Sequence, residues 1–325
     1  MKIIAFENET RILTERLLDP SRSNTALLEL LGRGKQSVPA LVEFLRTSKP
    51  STVSEGRVLA VEGLSILKGP EALDVLIEVA TRQLAAILDP VVRLAEESVS
   101  SAAARALGDL EDPGARETLL RLLAGKPLLG VAEALEKLKD ERAVPGLIVW
   151  LEDDFVAEAA GRAMVAIGPT AVPHLLKSLD HRHMIQGTET RMSQRRRART
   201  LRILEELAQP CEIVLAAGCL EDSAECVRWN AAQMFVRRGT GTLRQYALEV
   251  ALEFLDSADN QIRADCEELL KSNFEIGREK IEQEIFLRRQ MDEASRPLEV
   301  RESALEILER IHQEGTLRIQ CGGNP

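Results

Sequence analysis

The chain has 325 residues and a formal net charge of −10, from 52 acidic and 42 basic side chains. That balance disfavours nucleic acid and anionic membrane surfaces as general partners, and no apolar run approaches the ~18–20 residues a spanning helix needs. Apolar residues make up 45% but aromatic ones only 3%, and β-branched runs are scarce, so the composition favours an all-α chain over a sheet protein.

Residues 1–20 predict a lead-in with an amphipathic helix around Thr10–Leu18, suited to cap whatever follows. The opening MKIIAFENETRILTERLL carries acids early and no cleavage-site pattern, so it does not read as a signal peptide. Asn24–Leu31 and Val38–Leu45 predict a first helical pair. Glu55–Leu67 and Glu71–Leu88 predict a second, with DVLIEVATRQLAAIL read as one long helix. Pro90–Ala104 leads into the most regular part of the chain.

There one pattern is written three times: AAARALGDLEDPGARETLLRLL from Ala102, GVAEALEKLKDERAVPGLIVWL from Gly130 and EAAGRAMVAIGPTAVPHLLKSL from Glu158. Asp112, Asp140 and Gly168 stand 28 positions apart, as do Ala115, Ala143 and Ala171, and Leu119, Leu147 and Leu175. A fixed period of this size marks stacked repeats. Each copy predicts two helices. The first carries small residues such as Ala159, Ala160, Gly161 and Ala163, which permit close helix approach. Asp112 and Asp140 suit the turn, because a carboxylate accepts unpaired N–H groups. Pro145 and Pro173 suit the first turn of the second helix. A single unit buries too little apolar surface to stand alone, so neighbours must cover both its sides.

These units resemble HEAT-like repeats of the short bacterial type, which is also found in phycobilin lyase subunits. The resemblance implies a right-handed α-α superhelix of the armadillo/HEAT kind, here one solenoid over residues 1–325. It implies a partner surface lined by the second helices and names no activity. The HEAT-repeat hydroxylase of the hypusine pathway holds iron with His-Glu pairs, and this chain has no His-Glu dipeptide. HEAT-like DNA glycosylases are disfavoured by the acidic balance.

After Leu179 the period is interrupted. Residues 180–194 read as an inserted loop and a soft boundary. Helices are predicted again at Arg195–Leu207, Glu212–Leu220, Asp222–Arg238, Thr242–Leu255, Ile262–Phe274, Glu279–Arg289 and Val300–Ile311, with 313–325 as a tail. The local anomaly is basic: Arg182, Arg191, Arg195, Arg196, Arg197, Arg199 and Arg202 lie within about twenty residues, with Glu189 the one acid among them. Arginine forks match carboxylates and phosphates in two-point geometry. These seven are the candidate partner-binding residues, against the plainer reading of solvated arginines paired with neighbouring acids. Arg195, Arg199 and Arg202 share one helix face; Arg196 and Arg197 point elsewhere.

Neither a metal nor a cofactor is expected. His181 and His183 flank Arg182, whose charge opposes a divalent ion. Cys211, Cys219, Cys226, Cys266 and Cys321 include no C-x-x-C pair, which points to a reducing, cytoplasmic setting without a disulfide framework, and Cys211, Cys219 and Cys226 read as buried small apolar residues. Trp150 and Trp229 read as core residues. No phosphate loop, nucleophile elbow or H-E-x-x-H motif is present. The sequence therefore favours a non-enzymatic protein-interaction scaffold, its partner a protein with an acidic face. The alternatives are a phycobilin lyase-like subunit acting on a chromophore-bearing protein and a nucleic-acid-contacting repeat protein.

Overall fold

The computed structural model describes residues 2–292 and 304–321. They form helices and one two-stranded antiparallel hairpin. The chain divides into two compact units, Met1–His174 and Leu175–Pro325. The division falls a few residues before the boundary expected at 180–194.

The first unit runs α1 (Lys2–Arg16), α2 (Ser23–Gly32), α3 (Val38–Thr47), α4 (Glu55–Leu67), α5 (Pro70–Ala80), α6 (Pro90–Gly108), α7 (Pro113–Leu122), α8 (Leu129–Leu138), α9 (Val144–Trp150) and α10 (Ala157–Ile167). Helices alternate between two rows. One row stacks α2 on α4, α4 on α6, α6 on α8 and α8 on α10; the other stacks α1 on α3, α3 on α5 and α5 on α7. Small side chains set the spacing of the first row. A Cβ built on Gly108 would lie 2.7 Å from the Cβ of Ala134 on α8, and the Gly130 N–H donates to Ser101 Oγ at 2.7 Å.

The 28-residue register is a register of burial. Ala115, Ala143, Ala171, Leu119, Leu147 and Leu175 are all withdrawn from solvent. Leu151 and Leu179 are buried as well, whereas Leu123 is half-buried where the chain leaves α7 for a longer link. The expected caps form. Asp112 accepts from the N–H groups of Gly114 (2.7 Å) and Ala115 (3.3 Å), and Asp140 accepts from Arg142 N–H at 3.0 Å, each satisfying donors that a helix start leaves unpaired. The third copy makes the same turn with Gly168 at φ 92°, a conformation side chains resist.

The long helix expected over Glu71–Leu88 is broken. α5 ends at Ala80, and a bend, a 3₁₀ turn at Leu84–Ala86 and extended residues carry the chain to Pro90. Asp89, which must stay extended before a proline, caps α6 by accepting from Val91 N–H at 2.8 Å. The break also turns Arg82 back so that its Nη1 lies 3.2 Å from the buried carboxylate of Glu96.

The second unit contains most of α11 (Val172–Leu179), then β1 (Met184–Ile185), β2 (Thr188–Glu189), α12 (Arg191–Leu207), α13 (Pro210–Ile213), a 3₁₀ segment at Val214–Glu221, α14 (Glu225–Arg238), α15 (Gly241–Glu253), α16 (Asn260–Ser272), α17 (Phe274–Asp292) and α18 (Ala304–Cys321). α14 packs on α12 and α15, α15 on α17, and α18 on α16 and α17. The stretch Glu212–Leu220, expected as one helix, is mostly 3₁₀. The predicted tail is also corrected in part: α18 continues to Cys321, and 322–325 lie outside the described residues. Trp229 is core, its ring 5.0 Å from that of Phe254, and Trp150 is buried too.

Candidate functional site

The segment expected as an irregular loop is an ordered hairpin. Its two central residues, Gln186 and Gly187, both have positive φ (50° and 80°), as a two-residue turn matched to strand twist requires. Met184 pairs with Glu189 and Ile185 with Thr188, and Thr190 N–H donates to the His183 carbonyl at 2.9 Å. Thr190 then caps α12, accepting from Ser193 N–H at 3.2 Å. The helix therefore starts at Arg191, four residues earlier than expected.

A buried ion network fastens this hairpin. Arg197 is 2% exposed. Its Nη1 donates to Glu189 Oε2 at 3.0 Å, its Nη2 to Asp222, and its Nε to the Leu179 carbonyl at 2.8 Å. Arg196, also buried, donates Nη1 to the Ser178 carbonyl at 3.0 Å and Nη2 to that of His181. The carbonyls of Ser178 and Leu179 lie at the end of α11, where a helix leaves acceptors without intrahelical donors. Ser193 Oγ donates to the second oxygen of Glu189 at 2.7 Å and accepts from His183 N–H at 3.1 Å. Asp222 gathers Arg197, Arg182 Nη2 at 2.8 Å and the Ala224 N–H at 2.9 Å.

Burial by itself would raise the pKa of Asp222, but hydrogen bonds from Arg197 and Ala224 N–H, with the charges of Arg197 and Arg182, hold it below the ordinary carboxylate range. Burial likewise works to lower the pKa of Arg197, and Asp222 and Glu189 outweigh it and raise it. Cys219, beside them, is pushed up by burial, only partly opposed by Arg197. A carboxylate held ionised, a guanidinium held charged and a thiol held protonated form a clamp rather than an acid–base pair.

The seven candidate arginines therefore separate. Arg196 and Arg197 are corrected from partner-binding to buried anchors, because their forks are consumed by backbone carbonyls and carboxylates. Arg182 is part-exposed and held by Asp222. Arg191, Arg195 and Arg202 are exposed and Arg199 is half-buried. Spaced four, four and three apart along α12, these last four lie on one helix face. On the hairpin and in the first turn of α12, Met184, Ile185 and Met192 are exposed apolar side chains, which no periodicity in the sequence marked. Asp222 was also missed as a partner: it lies 25 residues from Arg197, and its one legible signal is an acid just before a helix.

Residues 101–125 match the family model of the PBS lyase HEAT-like repeat. That stretch is a HEAT-like repeat. The match covers the first of the three regular copies, and the all-α fold of stacked helical hairpins agrees with it. No curated protein sequence matches this repeat protein. Among solved structures, human deoxyhypusine hydroxylase in complex with glycerol is similar at 18% identity, over 84% of this chain and 99% of that one, with a TM-score of 0.33.

Among the described residues, no group of three or more His, Cys, Asp or Glu is placed to hold a metal ion. His181 Nδ1 meets the Lys177 carbonyl at 2.9 Å, and His183 contributes its backbone to the clamp. Cys219 and Cys266 are buried, the latter pushed up to about 12 by burial. Cys211 is exposed, against the expectation of a buried thiol. Among the described residues no helix is long and apolar enough to cross a membrane.

Proposed function

We propose that this repeat protein is a non-enzymatic interaction scaffold, and that in its second unit the contact surface is the hairpin at residues 184–189 with the outward face of α12. Rigid presentation carries the reading. Three charged side chains, Glu189, Arg197 and Asp222, are buried beneath the hairpin, at a desolvation cost that their mutual pairing offsets. A surface hairpin held this way keeps Met184 and Ile185 exposed while Arg191 and Arg202 stand on the neighbouring helix face. Apolar anchors beside arginines suit a partner protein with an acidic, partly apolar face. The name of the matched repeat alone supports a lyase-like role on a chromophore-bearing protein, and a single repeat is a unit of fold.

The test is affinity capture from native lysate with nuclease treatment, at low and high salt, comparing wild type with Arg191→Glu/Arg202→Glu and Met184→Ser/Ile185→Ser. Both variants alter exposed positions, so their thermal melts should match wild type. A protein captured by wild type and lost with both variants supports the reading. Capture unchanged in both removes this surface from it.

A further inference from the structure

The broken helix of the first unit creates a second candidate surface, independent of the arginine clamp. Where α5 stops, the loop at residues 81–89 and the link at residues 123–128 enclose a cavity of about 430 Å³. Leu84, Leu122 and Leu128 give it an apolar lining, and Arg82, Arg93 and Lys126 bring three cations to it against one carboxylate, Glu97. That carboxylate is engaged by Lys126 at 2.5 Å. Arg82 is held through Nη1 by Glu96, which Arg57 shares. Among the described residues the guanidinium of Arg93 has no hydrogen-bonding or ionic partner. In a chain of net charge −10, this is a local excess of positive charge around apolar side chains.

The same stretch of chain leaves large apolar side chains in solvent. Leu88 is 94% exposed, and Val91 and Leu94 at the start of α6 are also exposed. Stacking does not account for them, since the buried face of α6 carries Val99, Ala103 and Leu107 instead. Apolar side chains beside an unpaired arginine match a ligand of the opposite pattern. We propose that this cavity and the adjoining Leu88–Leu94 surface dock an acidic peptide segment of a partner protein. One large apolar side chain of the segment would enter between Leu84, Leu122 and Leu128, and a flanking carboxylate would meet Arg93. A two-point arginine–carboxylate contact supplies orientation, and the apolar anchor supplies most of the affinity.

The experiment is selection of a displayed random peptide library, with inserts of about twelve residues, on the full chain. Counter-selection uses Arg93→Glu/Lys126→Glu, in which Lys126 is exposed and Arg93 half-buried, and a cooperative melting curve checks that the variant is folded. Enriched peptides are expected to place Asp or Glu next to Leu, Ile or Phe. A synthetic representative, followed by fluorescence anisotropy, should bind at least about tenfold more weakly to Arg93→Glu. Arg93→Ala, which adds no new charge, should weaken it in the same direction, and so should Leu84→Ser. An enriched set lacking acids, equal binding to the Arg93 variants, or no enrichment would each overturn the proposal. Concentration-dependent dimerisation of wild type, lost in Arg93→Glu by sedimentation velocity, would overturn it in favour of a second copy. Saturable binding of decanoate that excludes the peptide would reassign the cavity to a small amphipathic anion.

Discussion

Arg197 and Arg202 lie five positions apart on one helix and have opposite fates. Arg197 donates to two carboxylates and a helix-end carbonyl in a dry setting, whereas Arg202 is exposed. Removing Arg197 leaves Glu189 and Asp222 buried without their main counter-charge, a change worth about 3–5 kcal/mol. Arg197→Ala should therefore lose about that much stability by urea unfolding, while Arg202→Ala stays within about 0.5 kcal/mol of wild type. The clamp also predicts a pH dependence. The pKa of Asp222 is depressed in the folded state, so its contribution is fully present above the unfolded value of about 3.9. It is lost as pH falls through the lower folded value. The difference in melting temperature between wild type and Asp222→Asn should be largest near neutral pH and shrink as the pH drops below about 4; a constant difference would show that Asp222 acts by shape alone. The sequence displayed the arginines and their helical spacing, and so the face they would divide between. It did not display Asp222, because a contact between residues distant along the chain leaves no mark on local composition.

At the scale of helices and turns, the repeat period was almost fully legible. Alanines and leucines 28 residues apart are buried, and the turn aspartates cap as their chemistry requires. Asp112→Ala should cost about 1 kcal/mol, and Leu119→Ala, at a fully buried register position, about 2–5 kcal/mol, both read from denaturant midpoints. The legible part stopped where a helical pattern was not obeyed. DVLIEVATRQLAAIL is helix-compatible throughout, yet the helix ends at Ala80, and just past the break Arg82 meets Glu96, a residue that only stacking brings near. The hairpin was illegible for a related reason. Gln186-Gly187 is a weaker turn signal than Asn-Gly, and its strands are two residues long, so its order comes from what Arg196, Arg197 and Ser193 do beneath it.

For the whole molecule, the charge of −10 sets the background against which two local basic surfaces stand, one in each unit. Both are small and carry apolar side chains, which suits acidic protein segments better than a phosphate backbone. Duplex DNA is therefore expected to show no saturable binding at physiological salt in an anisotropy titration. Tight binding falling steeply with salt, with a slope near −0.9 per phosphate neutralised, would instead favour the nucleic-acid alternative. Affinity for an acidic partner should also weaken with salt, but less, because the apolar anchors at Met184 and Ile185 or at Leu84 and Leu122 are not screened.

The sequence by itself determined the class of object: an all-α chain of short stacked hairpins, its register, its caps and the absence of familiar catalytic motifs. Those properties follow from periodicity and turn chemistry, which act over a few residues and are written in order along the chain. Only the tertiary structure decided which arginines are anchors and which remain at the surface, and where a helix breaks to open a cavity. Those outcomes depend on the desolvation of charged groups and on which carboxylate lies within reach, and both are set by residues that folding alone brings together.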